Sequence, residues 1–247
     1  MHRCYHPDAD WRELTQVIEG DEAKHALKVM RMRVGDECEI FDGKGQSALC
    51  HISAVQGSSW MSTEIDEMQS SEAWDALPSI TLALAIPKGS NMDLIVQKAV
   101  ELGVGRIIPL MSERTIVRLS DKEGASKRKK WERTVLEACK QSGVSLLPEV
   151  EEAQSLASFL QRGDLPEHKL CCAIVPHARA MRELMEEARV RGGRSMLILI
   201  GPEGDFSPKE YEAIEAAGYG AMSLGPIILR VETAVFMAVS AARYALG

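Results

Sequence analysis

No stretch of this 247-residue chain is apolar for long enough to cross a bilayer. The longest run, ITLALAI over residues 80–86, falls far short of the ~18 residues that a membrane helix needs. No charged start followed by an apolar core resembles a secretory leader, so a cytoplasmic protein is expected. No CxxC occurs among the six cysteines, Cys4, Cys38, Cys50, Cys139, Cys171 and Cys172. The adjacent pair is poorly placed for a disulfide, and free buried thiols in a reducing compartment are expected. His2, Cys4 and His6 stand close together, but an edge strand or a mobile terminus accounts for them, and no metal site is expected. No GxGxxG, GxxxxGK[ST], GxSxG or HExxH is present, which removes support for dinucleotide, P-loop, serine-hydrolase and zinc-peptidase chemistry. Positive charge is not in excess either. The formal net charge is −7, which at first sight argues against a nucleic-acid partner.

What is present is the composition of a globular protein with a substantial core: 45% apolar and 26% charged residues. The chain is long enough for one large domain or two small ones. Its first part reads as short strands and turns. Residues 38–41 alternate as a strand, Asp42-Gly43 marks a tight turn, and residues 47–55 alternate again with Ala48, Cys50, Ile52 and Ala54 on one face. A further strand fits residues 62–68. One short helix is predicted over 21–30, capped by Asp21, with Ala23, Leu27 and Met30 on one face. A polar linker is expected over 69–75, closed by Pro78.

Beyond it the rhythm changes. Strands at 80–86, 106–110, 146–148, 170–175, 196–200 and 220–224 alternate with helices at 92–102, 127–142, 154–161, 178–191, 208–217 and 233–246. Six strand–helix units in a row predict an α/β fold with a mainly parallel sheet. Strands buried on both faces explain apolar runs that are continuous rather than alternating.

Two loops carry the strongest local signals. In LILIGPEGDFSPKE (197–210) a buried strand ends in Gly201-Pro202-Glu203-Gly204. A helix then starts with Ser207 as N-cap, Pro208 at its first position and Glu210 closing a capping box. In LGPIILRVETA (224–234) a strand ends in Leu224-Gly225-Pro226 before the last helix. Parallel sheets bind ligands beyond the carboxyl ends of their strands, and an apolar loop there can wall a pocket for an adenine-like ring. A plain strand–helix connection needs Gly and Pro too, and Arg230 with Glu232 also reads as a surface ion pair. A third signal is basic. Residues 114–133 hold eight Lys/Arg against three acids, and residues 23–34 hold Lys24, Lys28, Arg31 and Arg33 with no acid. Such clusters can follow a phosphate backbone, although a charge run also reads as a solvated helix face.

At these residues the sequence resembles the RsmE family of 16S ribosomal RNA uridine-N3 methyltransferases, in the SPOUT superfamily. The similarity runs through HALKVMR (25–31), Gly35-Asp36, FDGKG (41–45), Pro87-Lys88-Gly89, Lys98, ELGV (101–104), SER (112–114), EACKQS (137–142), GPEG (201–204) and the stretch from Leu224 to Ala234. It implies a small PUA-like β-barrel over 1–73 and a SPOUT-type α/β domain over 78–247 tied in a carboxy-terminal trefoil knot. It also implies a homodimer packed through the last helix, where Val235, Phe236, Val239 and Ala242 suit either interface or core. S-adenosylmethionine would sit in the knot, among Val175, Ile200, Gly201, Glu203, Gly204, Leu224, Gly225, Ile228, Leu229, Thr233 and Ala234.

Arg230 would stabilise charge developing on a uracil oxygen, with Glu232 or Glu203 as proton acceptor. Lys24, Arg31, Arg33, Lys88, Arg114, Lys129, Lys130 and Gln141 would hold RNA. Three positions depart from the family pattern: Asp205 replaces a glycine, Ile227 an arginine and Val144 an arginine. A SPOUT enzyme with another RNA target, or a non-catalytic RNA-binding relative, are the alternatives. The net charge itself divides unevenly. Residues 1–77 carry −8 and residues 78–247 carry +1, so the acidity lies in the small domain and RNA remains a compatible partner.

Overall fold

Alternation of apolar and polar residues builds the first sheet. The structure is a computed structural model that describes residues 1–69 and 77–247, so the expected linker, apart from Gln69, lies outside the described residues. The chain divides into two compact units, Met1–Ala76 with Leu136–Leu147, and Leu77–Val135 with Pro148–Gly247.

In the first unit, strands β1 (His2–Tyr5), β2 (Thr15–Glu19), β3 (Glu37–Phe41), β4 (Ser47–Gln56) and β5 (Trp60–Gln69) form one sheet in the order β1-β3-β4-β5-β2. β1 lies at an edge, parallel to β3; the other pairings are antiparallel. Ala48, Cys50 and Ile52 point inward as the alternation predicts, joining Cys4, Ile18, Cys38, Ile40 and Met61 in the core. Ala54 does not: an irregularity in the β4–β5 pairing between Ile52 and Ala54 interrupts the alternation, and Ala54 is exposed.

The helix predicted over 21–30 also differs. It is a short α-helix, α1 (Gly20–Lys24), running into a π-turn over His25–Val29, with Glu19 rather than Asp21 at the N-cap position. The wider turn places Ala23 and Ala26 in the core and leaves Met30 about half exposed.

Residues 136–147 complete this unit through Arg3, whose side chain is only 5% exposed. Its guanidinium pairs with both carboxylate oxygens of Glu39 at 2.8 Å. It also donates to the carbonyls of Cys139 (2.7 Å) and Val144 (3.1 Å) and to Ser145 Oγ (2.8 Å). Its guanidinium carbon lies 4.4 Å from the centre of the Phe41 ring. Gly43, at φ +76°, brings the backbone so close that a β-carbon would fall 2.6 Å from Leu147 Cδ1. The strand expected at 146–148 is instead a pair of isolated bridges from Leu146 to Gly43 and Lys44.

The second unit is the predicted α/β layer. Strands β6 (Ser79–Ala85), β7 (Val104–Met111), β8 (Glu149–Val150), β9 (Gln154–Ser155), β10 (His168–Cys172), β11 (Arg179–Ala180), β12 (Ser195–Ile200) and β13 (Gly220–Ser223) pair throughout in parallel. Their order is β11-β13-β10-β12-β6-β7-β8, with β9 beside β7. β6 and β12 are buried along nearly their whole length, as continuous apolar runs require. The helices are α2 (Asn91–Glu101), α3 (Asp121–Ser142), α4 (Leu156–Leu160), α5 (Met181–Val190), α6 (Pro208–Ala216) and α7 (Val231–Leu246).

α3 starts six residues earlier than predicted. At its entry Ser120 donates both its backbone N–H (3.0 Å) and its hydroxyl (2.7 Å) to Glu123 Oε2, which lets a charged and glycine-bearing first turn hold. On α7, Val235, Val239 and Ala242 are buried and Phe236 is half-buried, while Thr233, Met237, Ser240 and Tyr244 form the exposed face. No helix among the described residues is long and apolar enough to cross a membrane.

Candidate active site

Because β13, β10 and β12 are neighbours and parallel, their carboxyl ends open into one region, and the loops at 173–178, 201–207 and 224–230 meet there. Together they enclose a cavity of about 930 Å³, within the roughly 300–1,000 Å³ usual for small-molecule sites. Of the residues expected to hold a cofactor, Val175, Ile200, Gly201, Glu203, Leu224, Gly225, Ile228, Leu229 and Ala234 lie on its wall. Gly204 and Thr233 do not. Gly204 packs against the Arg114 side chain, and Thr233 faces outward from α7. The wall also includes residues that the sequence did not single out, among them Cys172, Ile174, Asn91 and Ser223. Their signal is position alone: Cys172 and Ser223 end strands, Asn91 begins a helix, and Ile174 stands two residues past the end of β10.

Apolar side chains and the charged groups of Lys88, Glu203, Asp205, Arg230 and Glu232 share the cavity wall. Ile174, Ile227 and Ile228 are 68%, 73% and 81% exposed, a cost that solvent would not reward. Burial pushes the Cys172 thiol up to about 12, so it is protonated and a poor nucleophile at neutral pH. Arg230 occupies the N-cap position of α7 and lines the cavity, and its side chain has no hydrogen-bond or ion-pair partner among the described residues. The two carboxylates differ. Glu203 Oε1 accepts the Lys88 backbone N–H at 2.8 Å, whereas Glu232 has only a long 3.4 Å contact from Asn91. The surface ion pair read from Arg230 and Glu232 is not formed.

The loop over 201–207 is fixed from several sides. A β-carbon on Gly201 would stand 3.2 Å from the Phe206 ring, so a side chain there would displace the ring. The capping box of Ser207 and Glu210 is formed, with Pro208 following. Asp205, at the position where a second glycine was expected, adopts φ +60°. Aspartate tolerates that left-handed conformation better than most residues. Here its Oδ1 accepts the Phe206 N–H at 2.9 Å and the Tyr211 hydroxyl at 2.6 Å. The departure from glycine is therefore absorbed locally.

The cations expected to meet RNA are placed unevenly. Lys24, Arg31 and Arg33 are exposed in the first unit, beside the π-turn, with Arg31 at φ +59°, and Gln141 is exposed there too. In the second unit Lys88 lines the cavity and Lys129 is exposed, but Lys130 is paired with Asp93 and Arg114 turns its guanidinium to the carbonyl of Gly204.

A parallel sheet with a ligand-sized cavity over three strand ends, lined by an arginine that has no hydrogen-bond or ion-pair partner among the described residues, defines a class. The family model described as the RNA methyltransferase domain matches residues 75–243, and the RNA methyltransferase PUA domain matches residues 18–59. The chain is an RNA methyltransferase of this domain family.

Among curated proteins, the ribosomal RNA small subunit methyltransferase E of Bacillus subtilis is 31% identical over 92% of this chain and 89% of its own. The enzyme of the same name from Mycobacterium tuberculosis is 27% identical over 91% and 84%. A solved ribosomal RNA small subunit methyltransferase E from Neisseria gonorrhoeae, bound to S-adenosyl methionine, superposes with a TM-score of 0.84 at 31% identity, covering 98% of this chain and 96% of that one. A putative methyltransferase from Legionella pneumophila, also solved with this cofactor, gives a TM-score of 0.85 at 27% identity over 98% and 97%. The chain belongs to the ribosomal RNA small subunit methyltransferase E family.

Proposed function

We propose that the protein transfers a methyl group from S-adenosylmethionine to N3 of a specific uridine in 16S ribosomal RNA, acting in the cytoplasm as a homodimer on the small subunit. The observation that carries this reading is the cavity at the ends of β10, β12 and β13, lined by Arg230, which has no hydrogen-bond or ion-pair partner among the described residues. The residues present suit the cofactor. Val175, Ile228 and Leu229 offer apolar surface to a purine, loop backbone supplies polar contacts, and Glu203 and Glu232 favour a cationic sulfonium. The knot belongs to the same proposal. Its support is the sheet order, in which the late strand β13 lies between β11 and β10, both earlier in the chain. An RNA-binding domain over 1–73 and a catalytic domain over 78–247 complete it.

When bound, S-adenosylmethionine supplies a methyl group already activated on a sulfonium, so the protein's main task is positioning. Uridine N3 carries a proton that must leave. Glu232, the less engaged carboxylate, accepts it, while Glu203 stays committed to the Lys88 backbone. Arg230 stabilises the negative charge that develops on a uracil carbonyl oxygen. The target base must leave its stack to reach the site. Lys88 on the cavity wall, Lys129 on α3 and the basic turn of Lys24, Arg31 and Arg33 hold the backbone that carries it, with Gln141 as a neutral contact.

Mapping N3-methyluridine in 16S ribosomal RNA from a strain lacking the gene tests the reaction. One uridine should lose its methyl group and regain it on complementation; an unchanged map would sink the proposal. Calorimetry with S-adenosylhomocysteine tests the cavity, and absence of binding would favour a non-catalytic RNA-binding protein.

A further inference from the structure

The tight turn after β7 meets the candidate cofactor loop at its middle and at its carboxyl end. Ser112 and Thr115 close the turn on themselves. Thr115 Oγ1 accepts the Ser112 N–H at 3.0 Å and lies 2.8 Å from Ser112 Oγ, and the Thr115 N–H donates to the Ser112 carbonyl at 3.2 Å. Both residues are buried, so the turn is a rigid support that presents Glu113 and Arg114 outward.

From this support, Arg114 Nη1 donates to the Gly204 carbonyl at 2.9 Å and reaches the Phe206 carbonyl at 3.4 Å. Those two carbonyls flank Asp205, the residue with positive φ, where the backbone reverses. The Glu113 N–H donates to Glu210 Oε1 at 2.7 Å, while Glu210 Oε2 accepts the Ser207 N–H at 2.9 Å. One carboxylate thus joins the turn to the end of the loop, and one guanidinium joins it to the middle. The Arg114 side chain also lies over Gly204, 3.6 Å from where a β-carbon would stand.

We infer that Arg114 is a positioning residue that fixes the loop over 201–207 through its carbonyls, rather than a phosphate contact for RNA. The inference rests on the reading that this cavity takes S-adenosylmethionine. Its physical basis is geometric. One guanidinium nitrogen, Nη1, reaches both carbonyls and orders the reversed backbone between them, and the planar group holds that nitrogen in a fixed direction, which the freely rotating ammonium of a lysine does not. Without it, the loop samples other conformations and each binding event must order it again.

The test compares wild type, Arg114→Ala, Arg114→Lys and Lys129→Ala in the full-length protein. Calorimetry with S-adenosylhomocysteine is combined with the salt dependence of RNA binding and with steady-state kinetics. Arg114→Ala should weaken S-adenosylhomocysteine about tenfold, or about 1.4 kcal/mol, and the loss should fall on KM for S-adenosylmethionine rather than on kcat. Arg114→Lys should recover part of that affinity. The slope of log K for RNA against log salt should not change for either Arg114 variant. Lys129→Ala should give the opposite split, with a slope lower by about 0.7–0.9 and unchanged S-adenosylhomocysteine binding.

Unchanged S-adenosylhomocysteine affinity in Arg114→Ala overturns the inference. So does a salt slope reduced by about 0.7 or more, with or without weaker cofactor binding. If wild type itself fails to bind S-adenosylhomocysteine, the reading of the cavity falls first, and the two failures are told apart.

Discussion

Arg3 is the side chain whose removal should damage the first unit most. It is 5% exposed and satisfies two carboxylate oxygens, two backbone carbonyls and one hydroxyl at once. Arg3→Ala leaves the Glu39 carboxylate, itself only 16% exposed, without its counter-charge, and it strips the Cys139 and Val144 carbonyls of a donor. Breaking a buried pair from one side costs about 3–5 kcal/mol, because an uncompensated charge remains. Replacing both partners, Arg3→Met with Glu39→Leu, removes both charges at similar volume. It should cost only about 1–3 kcal/mol, the penalty of the carbonyls left unpaired. Urea titrations followed by circular dichroism and tryptophan fluorescence would read both values. A loss below about 1 kcal/mol for Arg3→Ala, or a double variant less stable than the single one, would refute the reasoning.

Other expectations follow from the same geometry. Arg230→Ala should bind S-adenosylhomocysteine normally yet lower kcat about 10²–10³-fold, the usual cost of losing a donor to a developing oxyanion; a wild-type rate would remove the role given to Arg230. Asp205→Ala should destabilise by about 2 kcal/mol and Asp205→Gly by about 1, since glycine keeps the positive φ and both lose the Tyr211 bond; thermal melting with the reverse ranking would contradict this. Burial pushes the thiols of Cys38, Cys50, Cys139 and Cys172 up to about 12. The folded state holds those protons more tightly than the unfolded one. Their contribution is therefore complete below pH ~9 and is lost as pH rises towards ~12, at about 1.4 kcal/mol per pH unit for each thiol. Urea midpoints that do not fall between pH 8 and pH 10 would show that these thiols ionise freely.

The α/β layer was legible because each buried parallel strand is a continuous apolar run, and β6, β7 and β12 need no partner to be recognised. The edge strands β1 and β2 left weaker marks, since four or five residues of mixed polarity look like loop. The loops around Gly201 and Gly225 could be read from Gly-Pro punctuation at strand ends, and both reach one cavity. Charge was the poorest guide. Lys130 and Arg114 look alike in a basic run, yet one is paired with Asp93 and the other is bound to backbone carbonyls. Pairing of that kind depends on residues distant in the chain, which local composition does not reveal. The same holds for Arg3, whose carbonyl and hydroxyl acceptors lie more than 130 positions away.

That separation gives the first unit an order of assembly during synthesis. Residues 1–69 leave the ribosome well before 136–147, the segment that supplies the carbonyl and hydroxyl acceptors for Arg3, the cation for Glu22 and an apolar neighbour of Gly43. At roughly 5–20 residues per second, the roughly seventy intervening residues take about 4–14 s to appear. For that interval the nascent sheet carries an arginine without its carbonyl acceptors and an unfilled apolar face, and it is then that a chaperone would find it.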